Sequence, residues 1–373
     1  MRKHCFVLDE NFVQIGIITH YKSQEYVRKF CGIGTFKITM PRNEKNVQFM
    51  KNGVWFVLDG KFLGYKDSQD STSADDSIIV SGKLCEVLLS WLVFPKTQIY
   101  KGERAKICED IVNNNFLQDD ERKKGILRVV ESGIVLKENV IVQKTGDIVS
   151  DAITDILSVQ QLGFSCLPVM RKDANNDKAI TSIDFRCVKG TDHSINNPDG
   201  NKPIVFSRRF KNLSGISYKK DSSNEKNYFY VAGEGEGEER KIVSFGEHVE
   251  NSLYRKETYI DARDIQSTNL ETQETYTDEE YNEMLLQRGY EKKSEYQLTE
   301  SVDCDIIEKK GFQYDVDFFL GDYVTAIDEL TGLKLKLQVT EMSKIQSETE
   351  SVVLTFGNKR LTFVQKLKKK GVL

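Results

Sequence analysis

Apolar residues in this chain come in short bursts that turn residues close almost at once, and that pattern commits most of it to β-sheet. Phe36, Ile38 and Met40 alternate at the two-residue period of a half-buried strand and stop at Pro41. Val54-Trp55-Phe56-Val57-Leu58 is continuously apolar, and Asp59-Gly60 leads from it into Phe62, Leu63 and Tyr65, the order of a tight hairpin. Residues 67–76 are polar and mostly small, a loop at a sheet edge, and Ile78-Ile79-Val80 is a short strand after it. Two weakly alternating strands between Phe164 and Phe206 flank a polar loop, Thr191 to Lys202. Further strands are expected at 297–308, 323–328, 333–342 and 351–356, separated by Gly321-Asp322, Thr331-Gly332 and Gly357-Asn358.

Four stretches switch to the helical period. Leu84, Val87, Leu88 and Trp91 fall at i, i+3, i+4 and i+7 and predict a helix that ends before Pro95, with Trp91 in the core. Ile107, Ile111 and Val112 predict a second helix from near Gly102. Val149, Ala152, Ile153 and Ile156 predict a third, capped by Thr145 or Asp147 and leaving at Gly163. The fourth is the best marked: Thr277-Asp278-Glu279-Glu280 is a capping box, Tyr281, Met284 and Leu285 form the buried stripe, and Gly289 is the expected stop.

A chain of 373 residues exceeds one ordinary core, at roughly 150 residues per domain. The fold class expected is α+β, mainly β: two small β-barrel-like domains with an inserted mixed α/β region. The boundaries are 1–95 for the first barrel-like domain, 96–205 for the mixed domain, and 206–373 for the second barrel-like domain with its helix at 278–288. Strands near 206–245 are free to return to the first barrel.

Composition and motifs exclude several function classes. With 53 basic and 57 acidic residues the formal charge is -4, which gives no global drive toward nucleic acid or anionic lipid. No stretch reaches the ~18 apolar residues of a membrane span, and no signal-peptide core follows Met1. Cys5, Cys31, Cys85, Cys108, Cys166, Cys187 and Cys304 are odd in number and never spaced CxxC, the usage of a protein made in a reducing cytoplasm. His4, His20, His193 and His248 never fall at the spacing of a helical metal site, and no nucleophile elbow or phosphate loop occurs. No catalytic residue, cofactor or metal is expected.

The most unusual stretch is Gly233-Glu234-Gly235-Glu236-Gly237-Glu238-Glu239-Arg240, after the strand Tyr228-Phe229-Tyr230-Val231. Read as a strand, alternate glycines bare one face and allow close approach of another backbone. Four glutamates would repel phosphate, and the spacing is not that of a calcium loop. Asp315, Asp317 and Asp322 invite a metal reading, yet Gly321-Asp322 is more simply a turn. Lys366, Lys368, Lys369 and Lys370 make a basic tail, read as a solvated terminus.

Tyr228 to Arg240 followed by the strand Arg255 to Asp264, with its Asp261-Ala262-Arg263, resembles the siphovirus tail-hub (tail-associated) proteins, related in fold to the central hub of contractile-tail baseplates. Tyr314 to Asp317, Leu320 to Val324 and Leu354 to Asn358 extend the likeness, which is good over 225–360 and looser before. The resemblance implies a viral structural protein of a virion tail, prophage or tail-like bacteriocin. It implies a homotrimer whose paired β domains mimic sixfold symmetry and close the tail tube. The implied neighbours are a tube or distal tail protein on one side and a spike, fibre or hydrolase on the other, with DNA only in transit and no membrane anchor. Gly233, Glu234, Gly235, Glu236, Gly237, Arg240, Asp261 and Arg263 would form an assembly seam. Because the chain ends at Leu373, a fused lytic domain is not expected. Two other classes remain open: a cell-wall-degrading enzyme using Glu234, Glu236 or Asp317, and a stand-alone glycan- or protein-binding module.

Overall fold

The computed structural model describes residues 4–357 apart from 73–75, 120, 137, 171–178, 248–252, 269–274, 307–310, 330–331 and 348. His248 and the lysine-rich tail therefore lie outside the described residues. The chain is mainly β, with four α-helices among the described residues: α1 (Glu44–Asn52), α2 (Arg104–Val112), α3 (Val149–Ser158) and α4 (Asp278–Lys293). It divides into two compact units. The first comprises Met1–Lys189, Glu225–Tyr296 and Ile345–Glu350; the second comprises Gly190–Asn224, Gln297–Lys344 and Ser351–Leu373.

In the first unit an antiparallel sheet runs in the order Ser23–Lys29, Thr35–Pro41, Ser77–Leu84, Phe62–Thr72, Trp55–Leu58, Cys5–Leu8, Gln14–Ile18. Phe36, Ile38 and Met40 point into its core as their alternation requires. Asp59 and Gly60 both take positive φ, +54° and +68°, the mirror-image turn whose twist matches the flanking strands. No sheet among the described residues closes on itself, so the two barrel-like domains become open sheets. Strand spacing suits either form; closure depends on whether the two edge strands meet.

Local signals fare unevenly. Helix α1 goes unannounced by apolar periodicity, although Asn43 caps it by accepting from the Asn46 N–H at 2.9 Å. The helix expected at Leu84 to Trp91 is a six-residue 3₁₀ segment, Cys85–Ser90, and Trp91 is 42 % exposed, lying edge-on to Tyr65 at 5.0 Å. Trp91 is thus a surface residue, because the segment stops before its last turn could tuck the indole inside. Helix α3 starts after Ile148 without a side-chain cap, so neither Thr145 nor Asp147 serves, and it ends at Ser158. Gly163 instead begins a strand, where a Cβ would lie 2.1 Å from the Phe30 carbonyl oxygen.

Leu8, Trp55, Leu63 and Leu88 join Ile107, Ile111, Phe116, Ile153, Ile156, Phe164 and Phe185 in one core. That core includes residues of α2, α3 and the hairpin Gly163–Met170/Ile180–Val188. Also within this unit, Gln346 reaches a buried polar network. Its Oε1 accepts from Tyr21 Oη at 3.0 Å and Gln24 Nε2 at 3.1 Å, while its Nε2 donates to Asp59 Oδ1 at 3.3 Å. Tyr26 Oη donates to the other Asp59 oxygen at 3.1 Å.

In the second unit Tyr323–Asp328 pairs antiparallel with the start of Leu333–Gln346 and parallel with Val205–Ser207. Phe206 packs against Phe312, Phe318 and Phe356 with centroids 6.4, 5.6 and 5.9 Å away. Thr299–Ile306 lies between Leu213–Asp221 and Glu350–Gly357.

Replacing Gln346 by Leu should strand the Gln24 Nε2 donor in the interior and cost about 1–3 kcal/mol, read as a lowered urea midpoint at unchanged slope. An unchanged midpoint would show the network contributes nothing net.

Candidate functional site

The residues around the glycine–glutamate run are organised by a sheet of Ile242–Gly246, Tyr228–Ala232 and Glu257–Asp261, in that order. The middle strand is antiparallel to the first and parallel to the last. Period-two alternation turns Phe229 and Val231 inward with Phe245 and Ile260, and Tyr228, Tyr230 and Tyr259 outward. The inward face meets α4 through Tyr281, Met284 and Leu285, the stripe expected from the capping box. Thr277 and Glu280 make that box as expected, bonding reciprocally.

Gly289 is not the stop, since α4 continues to Lys293. A Cβ there would lie 2.5 Å from Phe245 Cε1 and 2.8 Å from Val231 Cγ2, so its lack of a side chain lets helix and sheet close up. The helix is pinned from its other side by Lys144, whose Nζ sits 2.6 Å from Glu291 Oε2 with both side chains buried. Gln287 Nε2 donates to Glu291 Oε1 at 2.9 Å, and Arg288 makes a two-pronged contact with Asp264 at 3.0 and 2.8 Å. Burial pushes the Glu291 carboxyl upward, but the Lys144 and Arg288 charges outweigh it and hold it below the ordinary carboxylate range. None of these partners is adjacent in sequence to the glycine run, and no periodicity marks a buried Glu.

The run itself is a connection rather than a strand: Tyr228–Ala232 ends before it, and only a short 3₁₀ turn at Gly237–Glu239 follows. Gly233 donates its N–H to Lys241 O at 2.9 Å. A Cβ at Gly233 would lie 2.4 Å from Tyr281 Oη and 2.9 Å from Leu285 Cδ2; the close approach is made by the chain's own helix. Tyr281 Oη accepts from the Glu234 N–H at 2.8 Å and donates to Ile265 O at 3.0 Å. Gly235 and Gly237 take φ of +101° and +55°, open to glycine and strained for other residues.

Arg240 closes the loop by donating to Gly233 O at 2.9 Å, Ala232 O at 3.0 Å and Asp261 Oδ1 at 2.5 Å. Arg263 Nη2 donates to Asp261 Oδ2 at 2.7 Å, so Asp261 lies between two guanidinium groups. Hydrogen bonds from Arg263, opposed by slight burial and reinforced by Arg240, hold the Asp261 carboxyl at about 2. Glu234 Oε2 accepts from Ser267 N and Oγ at 3.1 and 2.8 Å, and Glu236 contributes to the field that holds Arg263 charged. The structure thus brings together Gly233, Glu234, Arg240, Asp261 and Arg263. Gly235 and Gly237 shape the turn beside them.

The other candidates resolve into structure. Asp322 accepts from the N–H groups of Thr191 and Phe319, each at 2.7 Å, and Asp317 Oδ2 accepts from Gln313 N at 2.8 Å. Among the described residues no group of three or more His, Cys, Asp or Glu is placed to hold a metal. Among the described residues Cys5, Cys85, Cys108, Cys166 and Cys187 are buried, and desolvation pushes the Cys5, Cys85, Cys108 and Cys166 thiols up. Among the described residues no helix is long and apolar enough to cross a membrane.

The fold is that of phage tail proteins. The crystal structure of the tail protein from Neisseria meningitidis MC58 matches with a TM-score of 0.56 at 12 % identity, covering 96 % of this chain and 97 % of that one. The 43 kDa tail protein of prophage MuSo2 from Shewanella oneidensis matches at 0.56 and 11 % identity, with 96 % and 98 % covered. Prophage tail protein gp18 from Listeria monocytogenes EGD-e gives 0.51 at 12 % identity, with 99 % and 98 % covered. Within that class, the chain belongs to the Siphovirus ReqiPepy6 Gp37-like protein family, whose model matches residues 4–358. No curated protein matches it.

Gly233→Ala should destabilise the protein by about 1–3 kcal/mol through overpacking against Tyr281 and Leu285. Gly237→Ala, whose Cβ meets open space, should cost only the left-handed backbone strain of about 1 kcal/mol. Thermal midpoints of the two variants check the order, and equal losses would remove the close-packing account. Asp261 titrates lower folded than its usual value of 3.8, so its contribution is complete above about pH 4 and is lost as pH falls toward 2. Asp261→Asn should therefore flatten the fall of stability across that window, by a modest amount because the carboxylate is 48 % exposed and screened. Parallel acid-unfolding curves would refute the assignment.

Proposed function

We propose that this tail protein is a non-catalytic hub of a phage tail or phage-derived tail-like particle, three copies closing into a ring at the end of the tail tube. The observation that supports it is one chain folded into two β-rich units, so that three copies present six to a sixfold tube. Full-length likeness to solved phage tail proteins agrees with a chain whose work is assembly. In this reading the outer side of the Gly233–Arg240 loop, with Glu236, Asp261 and Arg263, lies at a seam between copies. A tube or distal tail protein would sit on one side of the ring and a spike, fibre or hydrolase on the other. DNA would pass through the lumen in particles that carry a genome.

Light scattering should give the mass of a trimer for the purified chain, and negative-stain images should show a ring as wide as a tail tube. A monomer that forms no ring at any concentration would overturn the hub reading. For the seam, Arg263→Glu is a cleaner probe than a change at Gly235, whose positive φ would strain any replacement within the monomer itself. Arg263→Glu should dissociate the trimer with an unchanged circular dichroism spectrum. Intact trimers would move the seam elsewhere.

A further inference from the structure

The three-stranded sheet above α4 has two edges, and the chain treats them differently. The Glu257–Asp261 edge carries Glu257 and Asp261 and is flanked by Arg255, Lys256 and Arg263, the charged dressing that discourages pairing with another chain. The Ile242–Gly246 edge, Ile-Val-Ser-Phe-Gly, has no charge, no proline and no bulge. Gly233 N bonds Lys241 O at 2.9 Å and Glu247 N bonds Asn227 O at 3.1 Å, which sets the phase of the antiparallel ladder. Residues 243 and 245 therefore bond inward to Tyr228–Ala232, while the N–H and C=O groups of Ile242, Ser244 and Gly246 face outward. Among the described residues nothing bonds to that outer row. Ile242 is 47 % exposed, and Tyr290 of α4, 41 % exposed, covers Phe245 with ring centroids 4.6 Å apart.

We infer that this edge pairs with the same edge of a second copy, antiparallel about a two-fold axis through Ser244, to give one continuous sheet across two molecules. The sequence is complementary to itself in that register and phase. Ile242 faces Gly246 and Ser244 faces its own mate, so outward-facing residues pair only with outward-facing residues, as a ladder requires. Val243 meets Phe245 on the α4 side, apolar against apolar, and the missing side chain of Gly246 leaves room for Ile242. Lys241 stands opposite the exposed Glu247 at both ends, which places opposite charges across the seam. This contact is independent of the trimeric ring, since a two-fold operation is not a three-fold one. Where both form, the two-fold joins one ring to another.

The test uses the full chain in sedimentation equilibrium over a range of concentrations. Wild type should show a concentration-dependent doubling step, from monomer to dimer or, where the ring forms, from trimer to hexamer. Ser244→Pro should weaken it by roughly a hundredfold at unchanged circular dichroism, because the lost N–H serves only the outer row and its absence breaks the ladder at the axis. Ser244→Cys should form a covalent dimer when oxidised glutathione takes the electrons and protons of two thiols, since paired residues there stand about 5.5 Å apart. Reductant should reverse it, and wild type should not cross-link. Should Ser244→Pro fail to fold, Ser244→Cys alone decides. A doubling step unaffected by Ser244→Pro, or no cross-link from Ser244→Cys, overturns the proposal. A trimer that persists while both of these tests fail leaves the ring reading standing and removes only this one.

Discussion

Burial of α4 between two small sheets is the constraint on which the site depends. An antiparallel pair of strands, Gln98–Gly102 with Val140–Lys144, is marginal on its own in water, and the three-stranded sheet has an apolar face that must be covered. The helix gives both an apolar surface: Ile141 and Ile99 reach it from the strand pair, Phe229, Val231 and Ile260 from the sheet. Apolar contact is non-directional, so the orientation of the helix rests on the Lys144–Glu291 and Arg288–Asp264 pairs. The Lys144–Glu291 pair is buried; such a pair adds little net stability, yet an unpaired charge in the same place costs several kcal/mol, about 3–5. Misplaced arrangements of the helix are thereby penalised.

With the helix held, the glycine–glutamate loop has a physical explanation inside one molecule. Gly233 yields space to Tyr281, the tyrosine hydroxyl joins the loop to Ile265, and Arg240 ties the loop's start to Asp261. The glutamates are then placed by default on the solvent side, where they stay hydrated. A connection so firmly fixed at its base can present its outer surface in one geometry, which is what an assembly seam requires. The open edge of Ile242–Gly246 is the other surface of this sheet that has no partner strand among the described residues.

Much of this was legible in the residues, and the boundary is instructive. Asp59-Gly60 forms its mirror turn and Thr277 with Glu280 its capping box because both depend on atoms a few bonds apart. Alternating Phe36, Ile38 and Met40 show their face for the same reason. The glycines misled: Gly163 and Gly289 look like helix stops and are close-packing positions, a distinction set by Phe30 and by Phe245 with Val231, far away in sequence. Trp91 fits a helical stripe, yet the helix is too short to bury it. The site was half visible, as a cluster of Gly, Arg and Asp, while Tyr281, Lys144 and Glu291 carry no local mark of their part in holding it.

By itself the sequence determined the mainly β class, most strand positions, the start of α4 and the residues from which a tail-protein likeness can be read. These follow from side-chain periodicity and turn chemistry, which act over a few residues. Tertiary structure alone decided that, among the described residues, the sheets stay open, the glycine run turns instead of extending, and one strand edge lacks a neighbour. Each of those outcomes depends on which distant segments meet, and contact between distant segments is a property of the folded chain that no local pattern encodes.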